Sequence, residues 1–262
     1  MSNPAVSIVM PSYNAARFIL SSIQSVVAQT FKDWELLVVD DASTDETVEL
    51  VRREYASDTR VKVIALVKNS GAAVARNTAI AAAEGRFIAF LDCDDLWLPE
   101  KLSVQLAWMH DHDCAFSFTA YERILPSGEV LGKVGVPART TYAKMLKTSV
   151  IGCSTAMYDT RFFGKVYMPL IRMRQDFGLW LALLRRVDHA DGISQVLARY
   201  KLRPGSVSSN KRNAARYTWR VYREVEKLPM HKAMWCFANY AGRGYLRFYF
   251  PGFAKRLGFM DE

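Results

Sequence analysis

Phe87-Ile-Ala-Phe-Leu-Asp-Cys-Asp-Asp95 is an apolar run that ends abruptly in three carboxylates within four residues. A short continuous apolar run reads as a parallel strand buried on both faces. Ligands of open α/β sheets sit at the carboxyl ends of such strands. Asp92, Asp94 and Asp95 are therefore expected to crowd a cleft, where their mutual repulsion calls for a cation. Hard oxygen ligands suit Mg²⁺ or Mn²⁺, ions that commonly bind substrate phosphates as well. The alternative is a solvated acidic turn that caps the next helix.

Upstream, the pattern repeats. Ala5–Met10 reads as a strand, broken by Pro11-Ser-Tyr-Asn14. A helical pattern follows, with Phe18, Ile19, Ile23, Val26 and Val27 on one face. Trp34–Val39 is a second strand that ends at Asp40-Asp41. Ser43-x-x-Glu46 has the form of a capping box opening the next helix. Val61–Val67 is a third strand, and Asn69-Ser-Gly71 opens an Ala-rich helix that Gly85 ends, before the fourth strand, Arg86–Leu91. This alternation predicts a doubly wound parallel sheet.

After Pro99 the order is less regular. Helices are expected over Lys101–His110, Asp176–Arg186, Ala214–Glu226 and His231–Tyr249, and strands over Ala115–Tyr121, Ser154–Tyr158 and Gly192–Leu202. Pro126-Ser-Gly128 reads as a turn, and Gly132–Thr141 and Arg203–Asn210 as loops.

The chain has 262 residues, 50% of them hydrophobic and 12% aromatic, enough for a sizeable core. No apolar run is long enough to span a membrane, and the N-terminus lacks the pattern of a signal peptide. The four scattered cysteines fit reduced thiols in a cytoplasmic protein rather than a zinc or disulfide framework. Charge is placed unevenly. Residues 1–195 carry a net −1 and residues 196–262 a net +10, the latter interleaved with Trp219, Tyr222, Trp235, Phe237, Tyr240, Tyr245 and Phe248–Phe250. An anionic membrane surface and nucleic acid are both partners for such a segment, and an ordinary solvated helix face is the plain alternative. No helix-turn-helix or RNP-type pattern supports nucleic acid.

Three strand ends converge in a doubly wound sheet. Tyr13 could stack on a base, Asp40 accept from a ring N–H, Asp92 take a ribose hydroxyl and Asp94 hold a metal bridging a diphosphate. Arg76 could reach the same pocket. Asp40-Asp41 could equally be a capped turn and Arg76 a surface charge. No G-x-G-x-x-G or Walker A loop is present, so phosphate would be held mainly by a metal.

Val9-Met-Pro-Ser-Tyr-Asn14, Val38-Val-Asp-Asp-Ala-Ser-Thr-Asp45, Asn69-x-Gly-x-x-x-Ala-Arg-Asn77 and Phe90-Leu-Asp-x-Asp-Asp95 resemble, in order and spacing, the motifs of family 2 glycosyltransferases. Arg174-Gln-Asp-Phe-x-Leu-Trp180 resembles that family's downstream acidic motif. The segment from Tyr200 to Lys211 resembles the stretch that follows it. The resemblance implies a GT-A fold: a Rossmann-like, mostly parallel central sheet with helices on both faces, here with a helical C-terminal extension. It divides the chain into a donor half (1–98), an acceptor and catalytic half (99–212) and an extension (213–262).

The resemblance further implies a nucleotide-sugar donor, usually a UDP-sugar, a divalent metal (Mn²⁺ or Mg²⁺) and inversion at the anomeric carbon. Pro11, Tyr13, Asn14, Asp40, Arg76, Asp92 and Cys93 would bind the donor, Asp94 the metal, and Asp176 would be the catalytic base. Many relatives have a metal-holding His near position 203. Arg203 stands there in this chain and would pair with phosphate instead, with Lys211 in a similar role. The acceptor is expected to be a glycan, most naturally a lipid-linked oligosaccharide of a bacterial surface polysaccharide met at the cytoplasmic membrane face. A homo-oligomer is compatible with the sequence. The competing readings are a metal-dependent nucleotidyltransferase, which lacks its basic Gly-rich loop here, and a non-catalytic nucleotide-sugar binder, for which a base such as Asp176 has no use.

Overall fold

A computed structural model describes residues 3–202, 211–250 and 252. Its first part is the expected alternation: β1 (Val6–Ser12), α1 (Ile19–Val27), β2 (Trp34–Asp40), α2 (Thr47–Glu54), β3 (Val61–Ala65), α3 (Ala72–Ala82) and β4 (Phe87–Phe90). These strands pair in parallel in the order β3-β2-β1-β4. β1 and β2 are buried along their whole length, as continuous apolar runs require.

The period of two sorts each strand between two cores. Val9, Leu37, Val39, Ile88 and Phe90 face one, which is closed by α3 and by α7 (Gln175–Leu184). Val6, Ile8, Met10, Leu36, Val38 and Ala89 face the other, closed by α1, α2 and α4 (Lys101–Asp111). Trp180 anchors the first core, edge-on to Phe90 at 5.3 Å and tilted against Phe116 at 5.4 Å. Gly85, just before β4, is required by close approach: a Cβ there would lie 2.5 Å from the Ser7 amide nitrogen.

The second half extends the same sheet. β5 (Leu96–Trp97), β6 (Phe116–Ile124), β9 (Met157–Asp159) and β10 (Ala190–Lys201) continue it in the order β4-β9-β6-β10-β5. β7 (Val130–Val134) sits on β6, and β8 (Arg139–Thr140) on β10. Here only β6 and β10 run parallel; β9, β5, β7 and β8 pair antiparallel. Parallel order is thus a property of the first half and of one later pair. The division at residue 98 falls within one continuous sheet.

Several local expectations are corrected. The stretch 132–141 is not one irregular loop, because β7 and β8 lie in it. The turn at Gly128 (φ 90°) folds β7 onto β6, and its half-exposed Val130 and Leu131 give no clean alternation. The capping box does not form: the Ser43 hydroxyl donates to Asp40, and Asp45 accepts the Thr47 amide at 3.0 Å to start α2. The strand foreseen over 154–158 begins as a 3₁₀ turn, Cys153–Thr155. Short helices α5 (Tyr142–Met145) and α6 (Thr160–Phe163) lack enough turns to show a period. The helix expected over 214–226 is α8 (Lys211–Arg220) followed by a π-helical turn, Val221–Val225, ahead of α9 (Met230–Tyr249).

Candidate active site

At the carboxyl ends of β1 and β4, where the strand order switches direction, lies a cavity of about 940 Å³. One wall is Pro11–Tyr13, Asp41 and Asn69–Arg76. Asp92–Asp95 and Gly152–Thr155 form another part, and Leu170–Arg172, Gln175 and Asp176 a third. Its size is at the upper end of small-molecule pockets, with room for two substrates of modest size.

The three clustered carboxylates have separate fates. Asp92 Oδ1 accepts from Arg76 Nη2 at 2.5 Å. Arg76 is only 7% exposed. Burial works against its charge, but Asp92 outweighs it, so the guanidinium pKa is raised. Its Nε has no hydrogen-bond partner among the described residues, a donor left over beside the cavity. Asp95 is buried: Oδ2 accepts the Ser154 hydroxyl at 2.6 Å and Oδ1 the Lys201 amide at 3.2 Å. Burial, then repulsion from Asp92 and Asp94, pushes its pKa well up. Ser154 also receives the Asp92 amide at 3.1 Å, and so braces both ends of the Asp92–Asp95 turn. Asp94, between them, lines the cavity.

Of the three carboxylates, Asp94 is the one that the D-x-D spacing assigns to a cation, and it lines the cavity. Among the described residues no group of three His, Cys, Asp or Glu could hold a metal by itself. One hard carboxylate does fit an ion whose remaining positions are filled by substrate phosphates and water, the usual manner of Mg²⁺.

The other expected residues are distributed as follows. Pro11, Tyr13 and Cys93 line the cavity. Tyr13 is half exposed, as a ring awaiting a stacking partner would be. Asp40 is buried and absent from the lining, and its carboxylate accepts from the Ser12 hydroxyl at 2.9 Å and from the Ser43 amide and hydroxyl at 2.8 and 2.6 Å. A carboxylate has about four acceptor sites, so one remains for a ring N–H. Asn14 is absent from the lining. Held left-handed at φ 48°, it accepts the Thr44 amide at 2.9 Å and ties the β1 turn to the β2 turn. Arg203 lies outside the described residues. Lys211 opens α8, and its side chain is likewise outside them.

Sequence reasoning missed two residues. Asp41 accepts the Ser70 and Gly71 amides at 2.7 and 2.8 Å, and Gly71 takes φ 93° to open α3. Cys153 is a half-buried thiol of the cavity, its pKa pushed well up by desolvation and by Asp92 against the pull of Arg76. The signals were present as Asp41-x₂₈-Ser-Gly and a lone Cys, but neither is specific.

Asp176 sits in the first turn of α7 and lines the cavity. Two devices aim it. Gly178 lets Pro169 pack onto α7, since a Cβ would lie 2.5 Å from the proline Cγ. Arg174, left-handed at φ 63°, donates to the Tyr240 hydroxyl of α9 at 2.6 Å. Such backbone strain persists only where the surroundings hold it.

The family model "Glycosyl transferase family 2" matches residues 7–164, more than half of the chain. The chain belongs to glycosyltransferase family 2. Among its relatives is TuaG of Bacillus subtilis, a glycosyltransferase named for teichuronic acid biosynthesis. The two are 46% identical over 91% of this chain and 95% of TuaG. WfgD of Escherichia coli, a UDP-Glc:α-D-GlcNAc-diphosphoundecaprenol β-1,3-glucosyltransferase, is 39% identical over 88% of this chain and 90% of its own. In fold, this family 2 glycosyltransferase matches Staphylococcus aureus TarS solved with UDP-GlcNAc (TM-score 0.70, 22% identity, 94% of this chain and 73% of that one). It also matches the Pyrobaculum calidifontis mannosyltransferase PcManGT solved with GDP-Man and Mn²⁺ (TM-score 0.69, 17% identity, 98% and 79%). The fold is GT-A.

Proposed function

We propose that this glycosyltransferase moves a sugar from a UDP-sugar to a hydroxyl of a lipid-diphosphate-linked glycan, with inversion, in the assembly of a bacterial surface polysaccharide. The observation that carries the reading is the gathering of Asp92, Asp94, Arg76 and Asp176 on one cavity, in a chain similar to WfgD over nearly its whole length.

Tyr13 and the free acceptor site of Asp40 would hold the nucleoside base, Pro11 would shape its slot, and Asp92, fixed by Arg76, would take a ribose or sugar hydroxyl. Cys93 would flank the diphosphate, and Arg203 and Lys211 would pair with it. Asp94 would hold Mn²⁺ or Mg²⁺, which when bound supplies positive charge to the departing nucleoside diphosphate. Asp176 removes the proton of the attacking hydroxyl, which is far too weak an acid to ionise unaided at neutral pH. With Asp92 assigned to a hydroxyl, Asp94 to the metal and Asp95 to Ser154 and Lys201, Asp176 as base suits direct displacement, hence inversion.

Docking at the cytoplasmic membrane face is part of the same reading. Met234, Ala238, Ala241, Tyr245 and Tyr249 recur at helical spacing on one exposed face of α9, with Trp235 at its edge. Residues 211–250 hold nine Lys/Arg and two Asp/Glu. An apolar, aromatic stripe among basic side chains is the make-up of an interfacial helix. Among the described residues no helix is long and apolar enough to cross a membrane.

The test is a panel of UDP-, GDP- and dTDP-sugars, with and without Mn²⁺ or Mg²⁺, offered a GlcNAc-diphosphate-lipid acceptor. Metal-dependent transfer from a UDP-sugar, abolished in Asp94→Ala, is expected. Metal-independent transfer, or transfer from another nucleotide alone, would refute the corresponding part.

A further inference from the structure

Among the described residues three arginines line the cavity, and two are already committed. Arg76 is paired with Asp92 at 2.5 Å, and Arg199 with Glu122 at 3.1 Å. The third, Arg172, is exposed and makes no hydrogen bond or ion pair among the described residues. It lies four residues before the proposed base Asp176, on the segment that Pro169 pins against Gly178. Two residues earlier on that segment, Leu170 also lines the cavity and is 74% exposed. The segment that leads into the base therefore carries a guanidinium with no partner among the described residues and, two residues away, an uncovered apolar side chain, on a stretch of chain separate from the Asp94 and Tyr13 segments that would take the donor.

We infer that Leu170–Arg172 is a subsite for the acceptor's polyprenyl diphosphate: Arg172 binds the diphosphate and Leu170 packs on the first isoprenoid carbons. This rests on the reading of a lipid-diphosphate acceptor proposed above. A planar fork of donors suits two phosphate oxygens at once, which a lysine does not reproduce. An anionic group adjoining a hydrocarbon chain is the one ligand that uses both neighbours. A free phosphate or a donor diphosphate would leave Leu170 in water.

The test is binding of farnesyl diphosphate to the full chain in the presence of saturating UDP and Mn²⁺, which fill the donor side, with inorganic pyrophosphate titrated in parallel. Wild type is expected to bind farnesyl diphosphate more tightly than pyrophosphate. Arg172→Ala is expected to weaken farnesyl diphosphate about tenfold or more, the loss of a charge-assisted contact. Leu170→Ser is expected to weaken farnesyl diphosphate and leave pyrophosphate unchanged. Arg172→Lys recovers only part of the loss, and UDP affinity stays within about twofold in all three variants, which also reports that they are folded. Unchanged farnesyl diphosphate binding in Arg172→Ala, or a loss of UDP affinity in its place, overturns the subsite. Equal affinity of the wild type for pyrophosphate and farnesyl diphosphate overturns the role of Leu170. Failure of the glycosyl-transfer reading shows separately, as absence of metal-dependent donor turnover by the wild type.

Discussion

Asp92, Asp94 and Asp95 are chemically identical and energetically distinct, because each has different neighbours. Asp92→Ala leaves the buried Arg76 guanidinium without its carboxylate, so the expected loss in denaturant unfolding is about 3–5 kcal/mol. Asp95→Ala strips the partner from the Ser154 hydroxyl and the Lys201 amide, for about 1–3 kcal/mol. Asp94→Ala removes metal-linked UDP binding and destabilises less than Asp92→Ala, which strands a buried guanidinium. An Asp94→Ala protein as unstable as Asp92→Ala would overturn this division. Asp176→Asn should abolish transfer while isothermal titration finds donor affinity unaltered. A lost donor affinity would assign Asp176 to binding instead. The D-x-D cluster was legible because carboxylates after a buried run are rare without a ligand. Its internal division of roles was not, because Ser154 and Lys201, which decide it, come from distant parts of the chain.

At the scale of elements, the joint between α9 and the turn before α7 carries a prediction of its own. Tyr240→Phe removes the hydroxyl that holds the strained Arg174. The expected outcome is a kcat lowered by about tenfold with an unchanged KM for the donor, since small misplacements of a reacting group cost that much or more. An equal change in both constants would mean that the link serves binding. Gly178→Ala should raise the acceptor KM by displacing Pro169 and the segment after it. The βαβ units of the first half were readable because fully buried strands and amphipathic helices each impose one period. The β6–β7 hairpin, the short helices and the 3₁₀ turn were not. Edge strands are half solvated and single turns have no period, so their form is set by tertiary contacts alone. The Arg174–Tyr240 link joins residues 66 apart, a distance over which no local pattern carries information.

The whole molecule is electrically polar, near neutral through its sheet and basic in its last quarter. Vesicle sedimentation should detect binding to anionic but not to zwitterionic bilayers. It should weaken toward about 1 M salt, where screening reaches about 3 Å. Equal binding by the full chain and by residues 1–210 would refute docking through α8 and α9. Away from the cavity, Glu35 knots three strands together: it accepts from Ser7, from the Glu84 amide and from Lys62 at 2.6, 2.8 and 2.8 Å. Burial opposes its charge, but these bonds prevail, so its pKa is lowered. A lowered carboxylate pKa contributes stability above the unfolded value, about pH 4.3, which is lost as pH falls through the folded one. The melting-temperature gap between wild type and Glu35→Gln should thus hold steady from neutral pH down to about 4.3 and close below it. A gap that widened in acid would reverse the sign. Asp41 has a last consequence. By taking the Ser70 and Gly71 amides, it places the protein's own anion where glycine-rich nucleotide folds leave a helix pole open to phosphate. Emptying the cavity then leaves these two amides paired, so they do not retain spent nucleotide. Inhibition by UDP should accordingly rise and fall with the free divalent ion, so that a chelator added after turnover clears the enzyme of product.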